Sequence, residues 1–534
     1  MKLSPTTRVV RSVLVASIAA FLFGFDTGTI GAVTEMPSFV ATFGHFSSTV
    51  RGIVVASILL PSTLSGLVAG SVADRISRKH TIALGAAIFA VGQAVSCGSV
   101  RSLGMLIAAR VVAGLGEGLF LGTVAVYVAE ISPKEMRGRM MLVAQLAIAS
   151  GVASGFFVCF GSARIDSSLS WRLPFALSTF LALLVTLLAP LILPYSPRWL
   201  LLHNRRDEAE RVLDLLVGTG DAVQDERREL MSVPRVVKGG KRAAFVEMWR
   251  RDVWWRTTLG ALLQGMQQLS GIDFVLFFAA TLFKQAGLSG TTSSLLAGGV
   301  TGVLIVLTTI LTLLWVDRLG RRTIYIGGGC AISATLVVIG AMYATGKAGT
   351  ERGKWVVVVM IELFAIAFSG SWAVITRLYA SEIQPSKTRA AAASFSTAIN
   401  QAINFAVALT GPVFLSKSPS GPYFTYGALT AFASLFAFFF MPETKNLSLE
   451  CIDTMFSSHS PTSSLFGSVP LAVPLPFTTH RARRRSRRDS EHIPEVDDGE
   501  VDDETTRVEN EVEKFRREVK LGVPPAEAEK AVTA

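Results

Sequence analysis

The stretch Glu130-Ile131-Ser132-Pro133 recurs 252 residues later as Glu382-Ile383-Gln384-Pro385, and this repeat indicates how the chain is built. Two other motifs recur in the same order at nearly the same offset. Asp74-Arg75-Ile76-Ser77-Arg78-Lys79 returns as Asp317-Arg318-Leu319-Gly320-Arg321-Arg322, and Pro194-Tyr195-Ser196-Pro197-Arg198 returns as Pro442-Glu443-Thr444-Lys445. Internal duplication of this kind is typical of membrane transporters with alternating access, whose binding site lies between two related halves.

The composition predicts an integral membrane protein. Half of the 534 residues are hydrophobic, 17% are charged and the mean hydropathy is +0.47, which is more apolar than a soluble chain needs. Apolar runs of about 18 residues or more are expected to cross the bilayer as helices. They lie at 13–33, 50–73, 81–99, 103–129, 140–161, 173–193, 258–283, 295–315, 323–342, 355–379, 390–415 and 422–441. We therefore expect an all-α protein whose twelve transmembrane helices form two pseudo-symmetric six-helix bundles.

Basic residues predict the orientation of these spans, because short cytoplasmic loops are rich in Lys and Arg. They are concentrated after spans 2, 4, 8 and 10, so both termini are expected to be cytoplasmic in a multi-pass plasma-membrane protein. The net charge of +11 fits anchorage beside anionic lipid better than nucleic-acid binding. The predicted segments are a cytoplasmic N-terminus (1–12), a first bundle (13–193), a cytoplasmic linker (194–257), a second bundle (258–441) and a largely disordered, charged cytoplasmic tail (442–534). The linker is expected to contain short amphipathic helices, because 207–217 and 243–251 have helical apolar spacing.

The repeated motifs place acidic and basic side chains together at the cytoplasmic ends of helices. Such groups can pair across neighbouring helix ends in one conformation and separate in another. The alternative is that they are only topology signals and contacts with lipid head groups. The charge latch predicted in this way comprises Asp74, Arg75, Arg78, Glu130, Arg137, Arg198, Asp317, Arg318, Arg321, Arg322, Glu382 and Arg389.

Span 7 carries an unusual number of polar groups for a membrane segment. These groups are costly in lipid, so the helix is expected to face the bundle interior. Gln264, Gln267 and Gln268 have i, i+3, i+4 spacing and share one face, whereas Asp273 lies about 140° further round a straight helix than Gln268. Asp273 reaches the same face most easily if the helix is distorted at Ser270-Gly271, which glycine permits.

Eight stretches, in their usual order, resemble the motifs of the sugar porter family of the major facilitator superfamily. The overall sequence pattern resembles that of the fungal members of this family. They are Gly24-Phe25-Asp26-Thr27-Gly28, Arg110 with Gly114, Gly116 and Gly118, Glu130 with Arg137-Gly138, Trp171-Arg172, Pro194-Tyr195-Ser196-Pro197-Arg198, Gln267-Gln268-Leu269-Ser270-Gly271-Ile272, Asp317 to Arg322, and Pro442 to Glu450. The resemblance covers about residues 13–453. It implies a central cavity, alternating access and a hexose-like or other polyol substrate.

The resemblance also implies which residues contact the substrate. They are Gln145 in span 5, Gln264, Gln267, Gln268 and Asp273 in span 7, and Asn400 and Asn404 in span 11, with Trp372 of span 10 as an aromatic candidate. Amides donate and accept hydrogen bonds, so they suit a ring of hydroxyls, while aromatic faces suit the apolar side of a sugar. The alternative for any one amide is a hydrogen bond that joins two helices.

Asp26 and Arg110 form a second predicted pair. Each lies seven residues, or about 10 Å, from the outer end of its span. Equal depth allows pairing, which lowers the cost of burying either charge. In proton-coupled members of the family the matching acid is thought to exchange the proton, and the arginine is thought to modulate the pKa of this acid. The alternative is a permanent structural ion pair, because facilitative members also carry this acid.

Several positions depart from the family pattern. Asp273 stands where Asn is usual, Phe277-Phe278 where two tyrosines are usual, and Arg377 where a Trp covers the sugar. An acidic sugar or a cyclic polyol acid could pair with Arg377. The alternative is that Arg377 extends towards the cytoplasmic surface.

We therefore expect a secondary active transporter, not an enzyme, that moves a sugar or sugar-like polyol across the plasma membrane as a proton symporter. The alternatives are a facilitative carrier, a transport-like sugar receptor, and a transporter of an acidic polyol or other non-sugar metabolite. No cofactor, metal or nucleic acid is expected. The expected partners are the small-molecule substrate, a proton and the lipid bilayer, with the protein as a monomer.

Overall fold

The structure is a computed structural model that describes residues 4–100, 102–133, 136–216, 246–250, 253–288, 290–385, 388–445 and 456. All regular secondary structure among these residues is helical. Eleven helices are long and apolar enough to cross a membrane, and the bent pair Trp254–Phe277 with Ala279–Gln285 makes a twelfth span. The predicted all-α architecture with twelve spans is confirmed.

The spans are numbered in chain order. Spans 1 to 6 are Pro5–Thr34, Ser48–Ile76, Arg78–Gly98, Leu103–Ile131, Arg137–Ser162 and Leu169–Ile192. Span 7 consists of Trp254–Gln268, Ile272–Phe277 and Ala279–Gln285. Spans 8 to 12 are Thr291–Leu319, Arg321–Ala344, Glu351–Glu382, Arg389–Lys417 and Gly421–Phe440. Shorter helices are Pro37–Phe43, Pro197–Leu202, Arg206–Leu216 and the 3₁₀ turn Lys347–Gly349.

Several helices extend beyond the apolar runs that predicted them. Span 1 begins at Pro5, eight residues early, because the Ser4 hydroxyl accepts a hydrogen bond from the Thr7 amide at 3.2 Å and Pro5 suits a first helical position. Most of the segment predicted as a separate N-terminus is therefore helix. In the linker, an amphipathic helix predicted at 207–217 is present as Arg206–Leu216. Of the helix predicted at 243–251, only residues 246–250 are described, and 246 and 247 are helical. Most of the predicted tail lies outside the described residues.

The spans pack as two related groups. Span 1 packs on span 5 and span 3 on spans 4 and 6, while span 9 packs on spans 10 and 12 and span 7 on span 11. Close approach depends on small residues, as in other membrane bundles: a Cβ atom at Gly24 would lie 2.0 Å from the Ile148 carbonyl oxygen. The two groups meet where span 5 contacts span 8, span 2 contacts span 11 and span 1 contacts span 7.

Span 7 is interrupted twice. Gly271 has φ 78° and ψ 18°, a left-handed conformation, and the preceding helix ends at Gln268. The distortion predicted at Ser270-Gly271 is therefore confirmed. A second interruption at Phe278 turns the helix axis by 75°. The first break places Asp273 in a new first turn, and the second gives Ala279–Gln285, in which Ala279, Ala280, Leu282 and Phe283 are buried, a different direction from the preceding helix.

We call the side that carries the Ser4 end of span 1 the inner side, which is predicted to be cytoplasmic, and the opposite side the outer side. On the outer side, Glu35 at the end of span 1 joins the two groups. Its carboxylate accepts hydrogen bonds from Thr281 at 2.9 Å and Lys284 at 2.8 Å in span 7, and it also pairs with Arg51 of span 2. One turn below, a Cβ atom at Gly31 would lie only 1.4 Å from the Phe277 carbonyl oxygen. The outer side is closed by this cluster, the Glu35 clamp.

The Glu35 clamp is charged over a wide pH range. Burial alone would raise the pKa of Glu35, but Arg51, Lys284 and Thr281 outweigh burial and hold the pKa below its usual value of 4.5. A carboxyl with a lowered pKa stabilises the folded arrangement above its ordinary pKa and loses this effect as the pH falls through the lowered value. The charge of Glu35 is therefore retained at neutral pH, and the clamp weakens as the pH falls through the lowered pKa of Glu35.

Replacing Gly271 with Ala is expected to lower the unfolding temperature more than the same change at Gly346. Both glycines are left-handed, which costs another residue about 1–2 kcal/mol. A Cβ at Gly271 would also lie 2.6 Å from the Tyr426 ring, whereas one at Gly346 meets no atom within 4 Å; relieving such a clash costs about 1–3 kcal/mol. Thermal unfolding of the two purified variants measures the difference, and equal unfolding temperatures would contradict the packing at the break.

Glu35→Gln is expected to shift the protein towards the state that is open to the outside by about fivefold, because a partly buried charge pair contributes about 1 kcal/mol. Leu409, whose carbonyl oxygen packs against Gly52 on the outer side, reports the change. Leu409→Cys, in a chain without the native cysteines, is labelled with a membrane-impermeant maleimide. The control is Glu351→Gln, which breaks an exposed ion pair with Lys354 inside one helix. Equal labelling rates for the two variants would show that the clamp does not hold the outer side closed.

Candidate functional site

Spans 7 and 11 bring predicted amide side chains into one hydrogen-bonded cluster. Asn400 donates to the Gln264 carbonyl oxygen at 2.8 Å and to the Gln267 side-chain oxygen at 3.0 Å. Gln268 donates to the Asn400 side-chain oxygen at 3.1 Å. All four residues are buried. The helix Trp254–Gln268 is continuous through the three glutamines, so the shared face predicted for them is confirmed. The hydrogen bonds orient the side chains of Gln267, Gln268 and Asn400, whereas Gln264 takes part through its backbone carbonyl.

The cluster keeps unused hydrogen-bonding groups. Among the described residues, the side-chain oxygens of Gln264 and Gln268 and both polar atoms of Asn404 are buried without a partner. Buried polar groups without partners cost about 1–3 kcal/mol each, so they are rare in folded proteins unless water or a ligand satisfies them. These four atoms can accept three hydrogen bonds from hydroxyl groups and donate others through the Asn404 amide.

Trp372 lies in the wall behind the amide cluster. Its carbonyl oxygen accepts a hydrogen bond from Gln267 at 3.0 Å, and its indole donates to the Tyr325 carbonyl oxygen at 2.8 Å. The indole also stacks on the Tyr325 ring with centroids 4.6 Å apart, and Trp372 is fully buried. In this arrangement Trp372 positions Gln267, and its ring face is covered by Tyr325.

Arg377 interacts with both Gln145 and Asp273 at the cleft between the two groups of spans. Gln145 of span 5 accepts a hydrogen bond at 3.1 Å from Arg377 of span 10. Asp273 is half-buried in the first turn after the break, where its carboxylate interacts with Gln268 and with the charge of Arg377. The candidate site therefore contains amides from both groups and two opposite charges.

The Asp26 and Arg110 pair is present as predicted. Two guanidinium nitrogens of Arg110 donate to the two Asp26 carboxylate oxygens at 3.2 and 3.1 Å. Gln93 donates to Asp26 at 3.1 Å, and Arg110 donates to the Val55 carbonyl oxygen at 3.3 Å. Asp26 is 3% exposed and Arg110 is fully buried, so each charge depends on the other. Gln93 was not predicted, because nothing in its spacing distinguishes it from a packing residue.

The predicted charge latch pairs within the first group of spans on the inner side. Arg78 donates to both carboxylate oxygens of Glu130 at 2.9 and 3.1 Å, and lies 2.7 Å from Asp74. Ser196 donates to Glu130 at 2.5 Å. The bidentate geometry makes this a strong and directional contact.

The repeat unit forms an equivalent cluster in the second group. Arg321 lies 3.3 Å from Glu382, and Thr444 donates to Glu382 at 2.8 Å. Arg322 donates to the Phe438 carbonyl oxygen at 2.6 Å. These described pairs join residues of the same group, as expected when the inner ends of the two groups are apart.

The remaining predicted latch residues divide into two sets. Arg75 and Arg198 are exposed on the inner side. The side chains of Asp317, Arg318, Arg137 and Arg389 lie outside the described part of the structure, although the backbone at all four positions is helical.

Two tyrosines and a glutamate make contacts on the inner side, although they were not among the site residues predicted from the sequence. The Tyr127 hydroxyl donates to the Pro194 carbonyl oxygen at 2.9 Å, and the Tyr379 hydroxyl donates to the Pro442 carbonyl oxygen at 3.1 Å. Both tyrosines stand three residues before the repeated glutamates, and this duplication was the available signal. Glu443 accepts hydrogen bonds from the backbone amides of Arg321 and Arg322 at 2.8 and 3.1 Å, which stabilises the start of span 9.

Comparison with known proteins agrees with this geometry. Residues 12–456 match the family described as "Sugar (and other) transporter". The sugar transport protein MST7 of Oryza sativa subsp. japonica is 30% identical over 473 residues, which cover 84% of this chain and 91% of that protein. The MFS-type transporter criB of Aspergillus cristatus is 31% identical over 451 residues, covering 84% and 93%.

The fold also matches solved transporter structures. The xylose transporter XylE from E. coli in an inward-open conformation superimposes with a TM-score of 0.69 at 25% identity, covering 84% of this chain and 99% of that one. XylE bound to 6-bromo-6-deoxy-D-glucose gives a TM-score of 0.70 at the same identity and coverage. The chain belongs to the sugar porter family of the major facilitator superfamily.

Proposed function

We propose that the protein is a plasma-membrane symporter that moves a sugar or sugar-like polyol together with a proton by alternating access. The observation that carries the substrate class is the amide cluster. Gln264, Gln268 and Asn404 keep buried polar atoms without partners, while Gln267 and Asn400 hold the cluster in shape. A polyol supplies hydroxyls that both donate and accept, so it can satisfy these atoms together.

Proton coupling is supported by the buried pair of Asp26 and Arg110. Protonation of Asp26 would remove its negative charge and weaken both bonds to Arg110, whose remaining described acceptor is the Val55 carbonyl oxygen. A buried arginine without its carboxylate is costly, so the protonated state favours a different arrangement of spans 1, 2 and 4. The related XylE is a proton:xylose symporter.

Alternating access would use contacts on both sides of the membrane. The Glu35 clamp ties span 1 to span 7 on the outer side, while the described inner-side pairs stay within each group of spans. We propose that opening to the outside breaks the clamp and brings the inner charge latch together. In this scheme both termini are cytoplasmic, and a single chain contains the whole pathway.

Asp26→Asn is expected to abolish accumulation of solute against a gradient, because the amide cannot take up and release the proton. Exchange of labelled for unlabelled solute across the membrane should persist, since exchange needs no net proton movement. The measurement is uptake by cells that lack their own sugar porters, with and without a proton gradient. Asp166→Asn, which changes an exposed carboxylate on the outer side, serves as the control. Undiminished accumulation by Asp26→Asn would refute proton coupling through this residue.

Asn404→Ala is expected to raise the KM for the transported solute by about tenfold, because it removes two hydrogen-bonding atoms from the cavity. The change leaves the bonds among Gln264, Gln267, Gln268 and Asn400 intact, so the fold should be retained. Uptake is normalised to the amount of protein in the membrane. Thr345→Ala, which removes an exposed hydroxyl at the outer end of span 9, is the control. An unchanged KM would place the solute away from span 11.

A further inference from the structure

We propose that the transported solute carries a carboxylate, as a sugar acid or cyclic polyol acid does, and that Arg377 binds this group. This inference rests on the function proposed above and names the substrate class of the same site. It follows from the position of Arg377, from its exposure and from its partners.

Arg377 projects into the cleft between the two groups of spans. Its guanidinium donates to the side-chain oxygen of Gln145, which belongs to span 5 of the opposite group, at 3.1 Å. Arg377 lies five residues, or about 7.5 Å along the helix, from Trp372, whose carbonyl oxygen holds Gln267 of the amide cluster. The guanidinium is therefore next to the polyol site and on its inner side.

The Arg377 side chain is exposed although its neighbour Thr376 is fully buried. A side chain that contacts the opposite group of spans cannot at the same time extend outward to lipid head groups. Its exposed surface therefore faces water in the cleft, where a solute would travel. This contact decides against the alternative that Arg377 only reaches for the membrane surface.

The partners of Arg377 leave its charge available. A guanidinium has five N–H donors, and Gln145 is neutral. Among the described residues no carboxylate lies within 4 Å of Arg377; the charge of Asp273 acts on it from further away. Arg110 in span 4 is in contrast paired bidentately with Asp26.

A solute carboxylate would satisfy Arg377 when the cleft closes. Closure removes water from the guanidinium, and a buried charge without a partner is strongly unfavourable. A carboxylate offers the planar, bidentate partner that guanidinium prefers. The amide cluster would bind the hydroxyls of the same molecule, and Asp273 would accept hydrogen bonds from hydroxyls at the end away from the carboxylate.

Matched solutes test this proposal in cells that lack their own sugar porters. Uptake of labelled D-galacturonate is compared with that of D-galactose, which differs only at C6, and quinate is added as a cyclic acid. The unaltered protein should take up an acid in preference to the neutral sugar. Arg377→Gln should reduce acid uptake by about tenfold or more while changing neutral uptake by less than about threefold. Arg377→Lys, which keeps the charge, should restore part of the acid uptake.

The control is Arg352→Gln, which removes an exposed guanidinium at the outer end of span 10. Preference of the unaltered protein for neutral sugars over every acid would overturn the carboxylate proposal and leave the proposed sugar transport standing. An equal loss of acid and neutral uptake in Arg377→Gln would also overturn it. If neither class is moved by protein that has reached the membrane, the proposed function fails as well. Because selectivity is measured first on the unaltered protein, the test does not depend on the folding of the variants.

Discussion

Polar groups inside the bilayer must find partners in the protein or in enclosed water, because lipid offers none. This constraint orders the interior of the molecule. Asp26 and Arg110 neutralise each other, the amides of spans 7 and 11 bond to one another, and Arg377 reaches across the cleft to Gln145. Buried polar atoms without a partner occur at several places in the described structure, and those of Gln264, Gln268 and Asn404 lie on spans 7 and 11, which pack against each other. Their position beside the other amides favours a hydroxylated solute at the candidate site.

The duplication of the chain is preserved in contacts as well as in motifs. Each half uses a glutamate to hold an arginine and a tyrosine to hold the carbonyl of the proline that follows its last span. One repeated position at which the halves differ is Tyr195 and Glu443. Glu443 caps the start of span 9 with its carboxylate, whereas the equivalent Tyr195 places its ring 3.9 Å from the Lys79 ammonium. A charged cap and a cation–π contact therefore serve the same helix end in the two halves.

Much of the fold followed from simple physical signals in the sequence. Twelve apolar runs and three repeated motifs were enough to predict the architecture. The i, i+4 spacing was enough to predict that Gln264 and Gln268 share one helix face. The start of span 1 was missed because hydropathy does not record capping by Ser4. The Glu35 clamp was missed because its partners, Arg51 and Lys284, are remote in sequence and look like ordinary loop charges. The placement of Trp372 behind Gln267 depends on side-chain packing, which no local pattern encodes.

The two breaks in span 7 place binding and closure on one short piece of chain. Asp273 belongs to the candidate site and follows Gly271, while Thr281 and Lys284 lie beyond the bend at Phe278 and hold Glu35. Any energy that the solute gains by contacting this piece is thereby linked to the energy of the outer closure. Thermodynamic reciprocity then requires that a change in the clamp alter solute affinity by the same factor by which the solute alters the clamp. Span 7 therefore couples the candidate site to the Glu35 clamp, and the break at Gly271 positions the Asp273 end of this connection.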